Sequence, residues 1–177
     1  MINIDLKITD YLAIFEDHKE DIMNLLAATM QTNRAMMFDK DGADNGKEEW
    51  APLKWRSGRP LQHRGTLRKS FAPFNDGIKP GHGQDTIIHI AYPMAVIGTK
   101  LAYAQLMNDG TTKMPGGVLR PVKAKALKIP APNGEEGFIF RKSVKIPARP
   151  MDTITEEDNE EIAKTVENYI TEILNNG

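Results

Sequence analysis

The spacing of hydrophobic and polar positions changes several times along the chain, and each change marks an element. Ile2, Ile4, Leu6 and Ile8 alternate with polar residues, which is the period-2 pattern of a half-buried strand. From about Glu16 the period becomes helical. Ile22, Leu25, Leu26, Thr29, Met30 and Met36 or Met37 share one stripe, with Lys19, Glu20, Asp21, Asn24, Gln31 and Arg34 between them. This predicts a long amphipathic helix over roughly 14–37 whose methionines belong to the core. Thr66–Phe71 predicts a short helix. Thr86–Ala91 and Met94–Gly98 predict two strands, with Pro93 breaking their pairing or marking an edge. Lys100–Asn108 suits a short helix closed by Gly110. Ala126–Ile129 reads as one short strand, and Phe138–Phe140 and Val144–Ile146 as a further pair. Thr155-Glu-Glu-Asp158 has the spacing of a capping box, followed by an apolar stripe of Ile162, Val166, Tyr169, Ile170 and Ile173 that predicts a C-terminal helix.

The remaining segments read as connections. Asp39–Gly46 resembles a calcium loop only in composition. Counted from Asp39, the fifth, sixth and twelfth positions are Ala43, Asp44 and Trp50, where an EF-hand needs a ligand, glycine and glutamate. Residues 50–60 form an irregular connector holding Trp50 and Trp55. Residues 75–85, rich in glycine, read as a flexible loop, and 111–145 as a flexible loop or arm. The outline is one α+β domain spanning 1–177, with a mixed or antiparallel sheet flanked by a long N-terminal helix and a C-terminal helix.

Composition narrows the class. A chain of 177 residues with 40% hydrophobic and 27% charged residues has enough apolar surface for a core without staples. It has no cysteine, which removes disulfides, thiolate metal sites and cysteine nucleophiles. No apolar run reaches the length of a membrane span, and MINIDLKITD places acids where a signal peptide needs a basic start. These features predict a soluble, intracellular, single-domain protein.

A net charge of −1 conceals strong segregation. Residues 1–49 carry −6, residues 50–69 carry +6, residues 120–149 carry +6 and residues 150–177 carry −7. Alternating blocks of this kind suit contact with a nucleic acid or with an acidic surface of another copy. Neither basic block interleaves enough aromatics to read as a base-stacking platform.

Little here points to catalysis. His18, His63, His82 and His89 include no pair at helical ligand spacing. Ser70 and His63 are a formal nucleophile–base pair, but no nucleophile elbow surrounds any serine, and phosphate- and dinucleotide-binding glycine motifs are absent. His89 is expected on a polar strand face. The reading is a non-enzymatic protein with no cofactor and no metal. A metal-assisted hydrolase is the distant alternative.

Several blocks taken in order carry a resemblance. They are Gly46-x-x-x-Trp50-Ala-Pro-Leu53, Leu61-Gln-x-x-Gly65-x-Leu67-Arg-x-Ser70, Val96-Ile-Gly98-Thr, Tyr103-Ala104 ahead of Gly110, and Ile146-Pro147-Ala-Arg149-Pro150 before the last helix. Together they resemble the phage virion morphogenesis family, the Mu-like and P2-like tail completion proteins. Met151-Asp152 stands where such proteins carry an aromatic residue or leucine followed by glycine.

The resemblance implies a structural virion assembly protein that completes or caps the tail or joins it to the head. It would reside in the host cytoplasm during assembly and afterwards in the virion. Its implied partners are other tail or head–tail connector proteins and copies of itself in a ring, with no membrane. Trp50, Leu53, Trp55 and Tyr103 are then expected as interface anchors. Arg149, held by its two prolines, is expected as an ion-pairing or hydrogen-bonding residue. Alanine at Trp50 or Arg149 is expected to impair assembly while leaving the monomer folded. If DNA passes through such a ring, Lys123, Lys125, Lys128, Arg141, Lys142 and Lys145 would touch phosphates without reading sequence. The alternative function is a nucleic-acid-binding module built on segments 54–69 and 120–149.

Overall fold

The computed structural model describes residues 8–53, 58–62, 64–131 and 137–176, without the side chains of 8–14 and 176. Its elements are α1 (Ile8–Asp39), α2 (Thr66–Phe71), β1 (Thr86–Ala91), β2 (Met94–Thr99), α3 (Ala104–Asp109), β3 (Leu127–Pro130), β4 (Phe138–Arg141) and α4 (Glu156–Asn176), with a 3-10 turn at Pro115–Gly117. The class is α+β, with a long N-terminal helix and a C-terminal helix. Most of the strand expected over Ile2–Ile8 lies outside the described residues, and Ile8 itself opens α1.

Helix α1 is the centre of the molecule. Ile22, Met23, Leu25, Ala27, Ala28, Met37 and Phe38 are buried along it, so apolar residues leave more than one side of the helix. One side meets α4, and the β1–β2 hairpin and α2 cover others. Met37 enters the core while Met36 stays exposed. Gln31 is fully buried and replaces a missing strand partner for the 75–85 segment. Its amide donates to the Gly81 carbonyl at 3.0 Å, and the Gly81 N–H donates back at 2.7 Å. Asn75 adds a bond to the Ala28 carbonyl. A segment that composition marks as flexible is thus tied to α1 through its backbone groups.

The sheet is divided in two. β1 and β2 pair antiparallel, with Thr86 opposite Thr99 and Ala91 opposite Met94. Pro93 sits in the two-residue turn between them, after a cis Tyr92–Pro93 bond, and leaves the pairing intact. β3 and β4 form the second antiparallel pair, with Lys128 opposite Phe140. Val144–Ile146 was expected to pair with Phe138–Phe140. Instead β4 pairs with β3, and Val144 bridges Leu119.

Helix α4 is anchored at its start. The Asp158 backbone N–H donates to the Thr155 hydroxyl and the Thr155 N–H donates to the Asp158 carboxylate, which is the capping box the sequence predicts. The same carboxylate reaches further. Lys47 Nζ lies 2.6 Å from Asp158 Oδ2, both side chains nearly fully buried, and Asn45 and Asn33 donate to Oδ1. Burial alone pushes the Asp158 carboxyl up, but the bonds from Lys47, Asn45 and Thr155 outweigh it and hold the group below its ordinary value of 3.8.

A carboxylate lowered in the folded state lends stability that is complete above its ordinary pKa and is lost as pH falls through the folded value. Wild-type stability should therefore fall steeply below about pH 3.8. Lys47→Met leaves Asp158 a buried charge without its counter-ion, at a cost of about 3 kcal/mol near neutral pH, and should lose less of its remaining stability through Asp158 on acidification, because protonation then relieves that charge. Denaturant unfolding of both proteins across a pH series measures each effect.

Candidate assembly surfaces

The residues that carry the resemblance come from five separated stretches of chain, and the fold gathers most of them at one junction. Its floor is the core of Met37, Phe38, Trp50, Leu67, Ala104 and Met151, with Leu61, Phe71, Leu101 and Met107 packed around it. Trp50 is only 4% exposed. Its ring meets Phe38 edge-on at 5.2 Å, and its indole N–H donates to the Pro150 carbonyl at 3.0 Å. Gly42 allows this seating, since a Cβ there would lie 2.7 Å from the indole.

Arg149 is 5% exposed and spans the junction. Its Nε and Nη2 donate to the Ala51 carbonyl at 3.1 and 2.9 Å, and Nη2 also reaches the Pro52 carbonyl at 3.4 Å. The Arg149 backbone N–H donates to Met107 and Asn108 at the end of α3. Ile146 exchanges bonds with Thr111 in the same way. Gly110 turns beneath this segment with φ near +64°, and a Cβ there would stand 2.5 Å from the Ala148 nitrogen. Only glycine fits that approach.

One expectation needs correction. Trp50 does not present itself as an anchor for another subunit, because packing and a hydrogen bond within the chain occupy it, and Arg149, expected as an ion-pairing or hydrogen-bonding residue, makes its hydrogen bonds to its own chain. Leu67 and Ser70 are buried as well, Ser70 accepting a bond from the Thr99 hydroxyl at 2.7 Å. Gly65 caps α2 with a left-handed backbone, and Gly98 sits in β2 opposite Ile87. Leu53, Leu61 and Pro147 are half-buried, while Tyr103 and Pro150 are exposed. Trp55 and His63 lie outside the described residues.

The two basic blocks have different fates. From the first, Arg59 pairs with Asp41 at 3.0 Å and Arg68 with Asp39 at 2.9 Å, so the acidic turn after α1 neutralises part of it. Lys54 and Arg56 lie outside the described residues. The second block, Arg149 apart, stays outside. Arg120, Lys123, Lys125, Lys128, Arg141, Lys142 and Lys145 are all exposed, and no ion pair engages them among the described residues. They sit on an arm built from the β3–β4 pair. One face of that pair exposes Phe138 at 57% and Phe140 at 68%, with Lys128 Nζ 4.0 Å from the centre of the Phe138 ring. Aromatics interleaved with cations are thus present on the folded arm, although sequence spacing hid them. Beneath the arm, Leu119, Leu127, Ile129, Val144, Pro52 and Leu53 line an apolar cavity of about 410 Å³.

The paired α1 and α4 helices carry an acidic surface. Glu16, Asp17, Glu20 and Asp21 of α1 and Glu160, Glu161, Glu167 and Glu172 of α4 are exposed. A groove of about 690 Å³ opens between the two helices, lined by His18, Leu25, Ile78, Tyr169 and Ile173. His18 and Tyr169 meet edge-on, and burial together with the Asp21 carboxylate pushes the Tyr169 phenol up.

His89 stands on the outer face of the β1–β2 hairpin beside Ile87, Met94 and Val96, all exposed, so that face is apolar where a polar one was expected. No group of three or more His, Asp or Glu residues able to hold a metal occurs among the described residues, and no helix there is long and apolar enough to cross a membrane. Compared with known proteins, the chain matches no family model, no curated protein and no solved structure.

Trp50→Ala should cost about 3–5 kcal/mol, because it empties a core site and leaves the Pro150 carbonyl unpaired. Arg149→Ala should cost about 3 kcal/mol through the Ala51 and Pro52 carbonyls it abandons. Thermal and denaturant unfolding of the isolated chain checks both. Wild-type stability in either variant would return these residues to the list of surface anchors.

Proposed function

We propose that the chain is a non-enzymatic structural protein of tailed-phage or prophage assembly, completing or capping the tail or joining it to the head. The observation that carries this reading is the junction itself. The blocks from which the resemblance was drawn, spread from Gly46 to Pro150, largely converge in space, and the fold depends on their contacts. That convergence agrees with the resemblance.

The surfaces agree with an assembly role. Exposed aromatics, a cationic arm and an acidic groove are features of a protein whose work is contact with other chains. A nucleic-acid module built on both basic segments has less support, because Arg59 and Arg68 of the first are engaged in internal ion pairs.

Deleting the coding segment from a phage or prophage that carries it should leave heads and tails that fail to join, or tails without a finished end. Electron microscopy of the lysate reads this directly, and supplying the chain in trans should restore whole particles. Normal, infectious particles without it would overturn the assignment.

A further inference from the structure

We infer that the arm of one copy docks into the α1–α4 groove of a second copy, head to tail. This rests on the assembly role proposed above and names the partner of the exposed surfaces. The two halves of the contact share no residue, so one molecule carries both, and using one leaves the other open.

The arm presents two neighbouring aromatic side chains, Phe138 and Phe140, on one face of a two-stranded sheet, with Lys128 on the same face and exposed Arg141 and Lys142 at the end of β4. Exposed phenyl rings in that setting gain most from a site with an apolar floor and an acidic rim. The α1–α4 groove is such a site. Leu25, Ile78, Tyr169 and Ile173 supply the apolar lining, and Asp21 and Glu172 stand at its edge with exposed carboxylates.

Charge selects the second copy over a nucleic acid as occupant. The chain as a whole is close to neutral at −1, so the positive arm is matched by negative charge on the same molecule. A second copy meets the arm with the acidic faces of α1 and α4, which complement its charge. Such a contact is heterologous. It propagates, closing into a ring when the rotation per copy allows.

The test uses two charge-reversed forms of the full chain. One carries Lys128→Glu, Arg141→Glu and Lys142→Glu on the arm, and the other carries Asp21→Lys and Glu172→Lys in the groove. Thermal melts confirm that each folds as the wild type does. Should either fail, Phe138→Ser with Phe140→Ser replaces the arm form and Ile173→Glu the groove form.

Light scattering should show a wild-type oligomer that grows with concentration and loosens with salt. Each reversed form alone should be monomeric. Mixed, they should assemble again, because the intact arm meets the intact groove and the reversed arm meets the reversed groove of opposite sign, whereas the Phe138→Ser, Phe140→Ser and Ile173→Glu forms, mixed, should stop at a one-to-one pair. A wild type that stays monomeric at low salt up to its solubility limit overturns the contact. So does a mixture that remains monomeric, or a reversed form that still assembles alone. An arm that shifts single-stranded or duplex DNA while copies stay apart overturns it too, and assigns the arm to nucleic acid. The mass measurement is independent of particle morphology. A monomeric chain still needed for whole particles would remove this contact and keep the assembly role, and an oligomer dispensable for particles would do the reverse.

Discussion

The segment from Ile146 to Met151 runs extended through the middle of the molecule without a partner strand, and the rest of the fold depends on how its polar groups are satisfied. A buried unpaired carbonyl or N–H costs free energy comparable to a lost hydrogen bond. Pro147 and Pro150 remove two of the donors at the outset. Thr111 takes both groups of Ile146, the end of α3 takes the Arg149 N–H, and Trp50 donates to the Pro150 carbonyl. The Met151 N–H finds the Asn108 side chain at 2.6 Å. Arg149 does the reverse service for the connector, whose Ala51 and Pro52 carbonyls have no sheet to enter. A guanidinium suits this position because its planar fork presents several donors at fixed angles, and a lysine would offer a single point of contact.

This arrangement ties together blocks that are short and separated in the sequence. Trp50 with its Ala-Pro sequel, Gly110 and the Pro-Ala-Arg-Pro segment each answer a constraint set by another of them. Trp50 needs a carbonyl from Pro150, Arg149 needs carbonyls from Ala51 and Pro52, and the close approach of residues 146–148 needs a glycine at 110. Met151 then fills the core beside Trp50 with an apolar side chain.

Elements written in local periodicity were legible in the sequence. The long helix, the six-residue helix from Thr66, the capping box at Thr155 and the two strands around Pro93 rest on spacing and turn chemistry within a few residues. What depended on distant partners was not legible. Nothing near Val144 says that its bridge runs back to Leu119, and nothing near Gln31 says that its amide will stand in for a strand. The importance of Trp50 and Arg149 was visible, but not the side they would face. A constrained residue looks the same in one dimension whether its partner is its own chain or another. Charge misled in a similar way, because Arg59 and Arg68 reach acids about twenty to thirty residues earlier that only the fold brings near.

The internal junction also bears on the geometry of any assembly this chain forms. The arm leaves the body beside Val144 and Ile146, and Ile146 leads directly into the segment that Arg149 fastens to Ala51. Ala51 adjoins Trp50, which packs on Phe38 in the last turn of α1, and α1 in turn forms one wall of the groove. The path from arm to groove therefore runs through buried, hydrogen-bonded contacts, with little freedom to bend. In a head-to-tail contact the rotation from one copy to the next is the angle between those two surfaces, which this packing sets. Exposed charges and phenyl rings would then govern how tightly copies adhere and how salt loosens them, while the buried Trp50–Arg149 junction would govern whether the chain of copies closes and at what number. Substitutions on the surface and in the junction should thus differ in kind, the first changing affinity and the second changing shape.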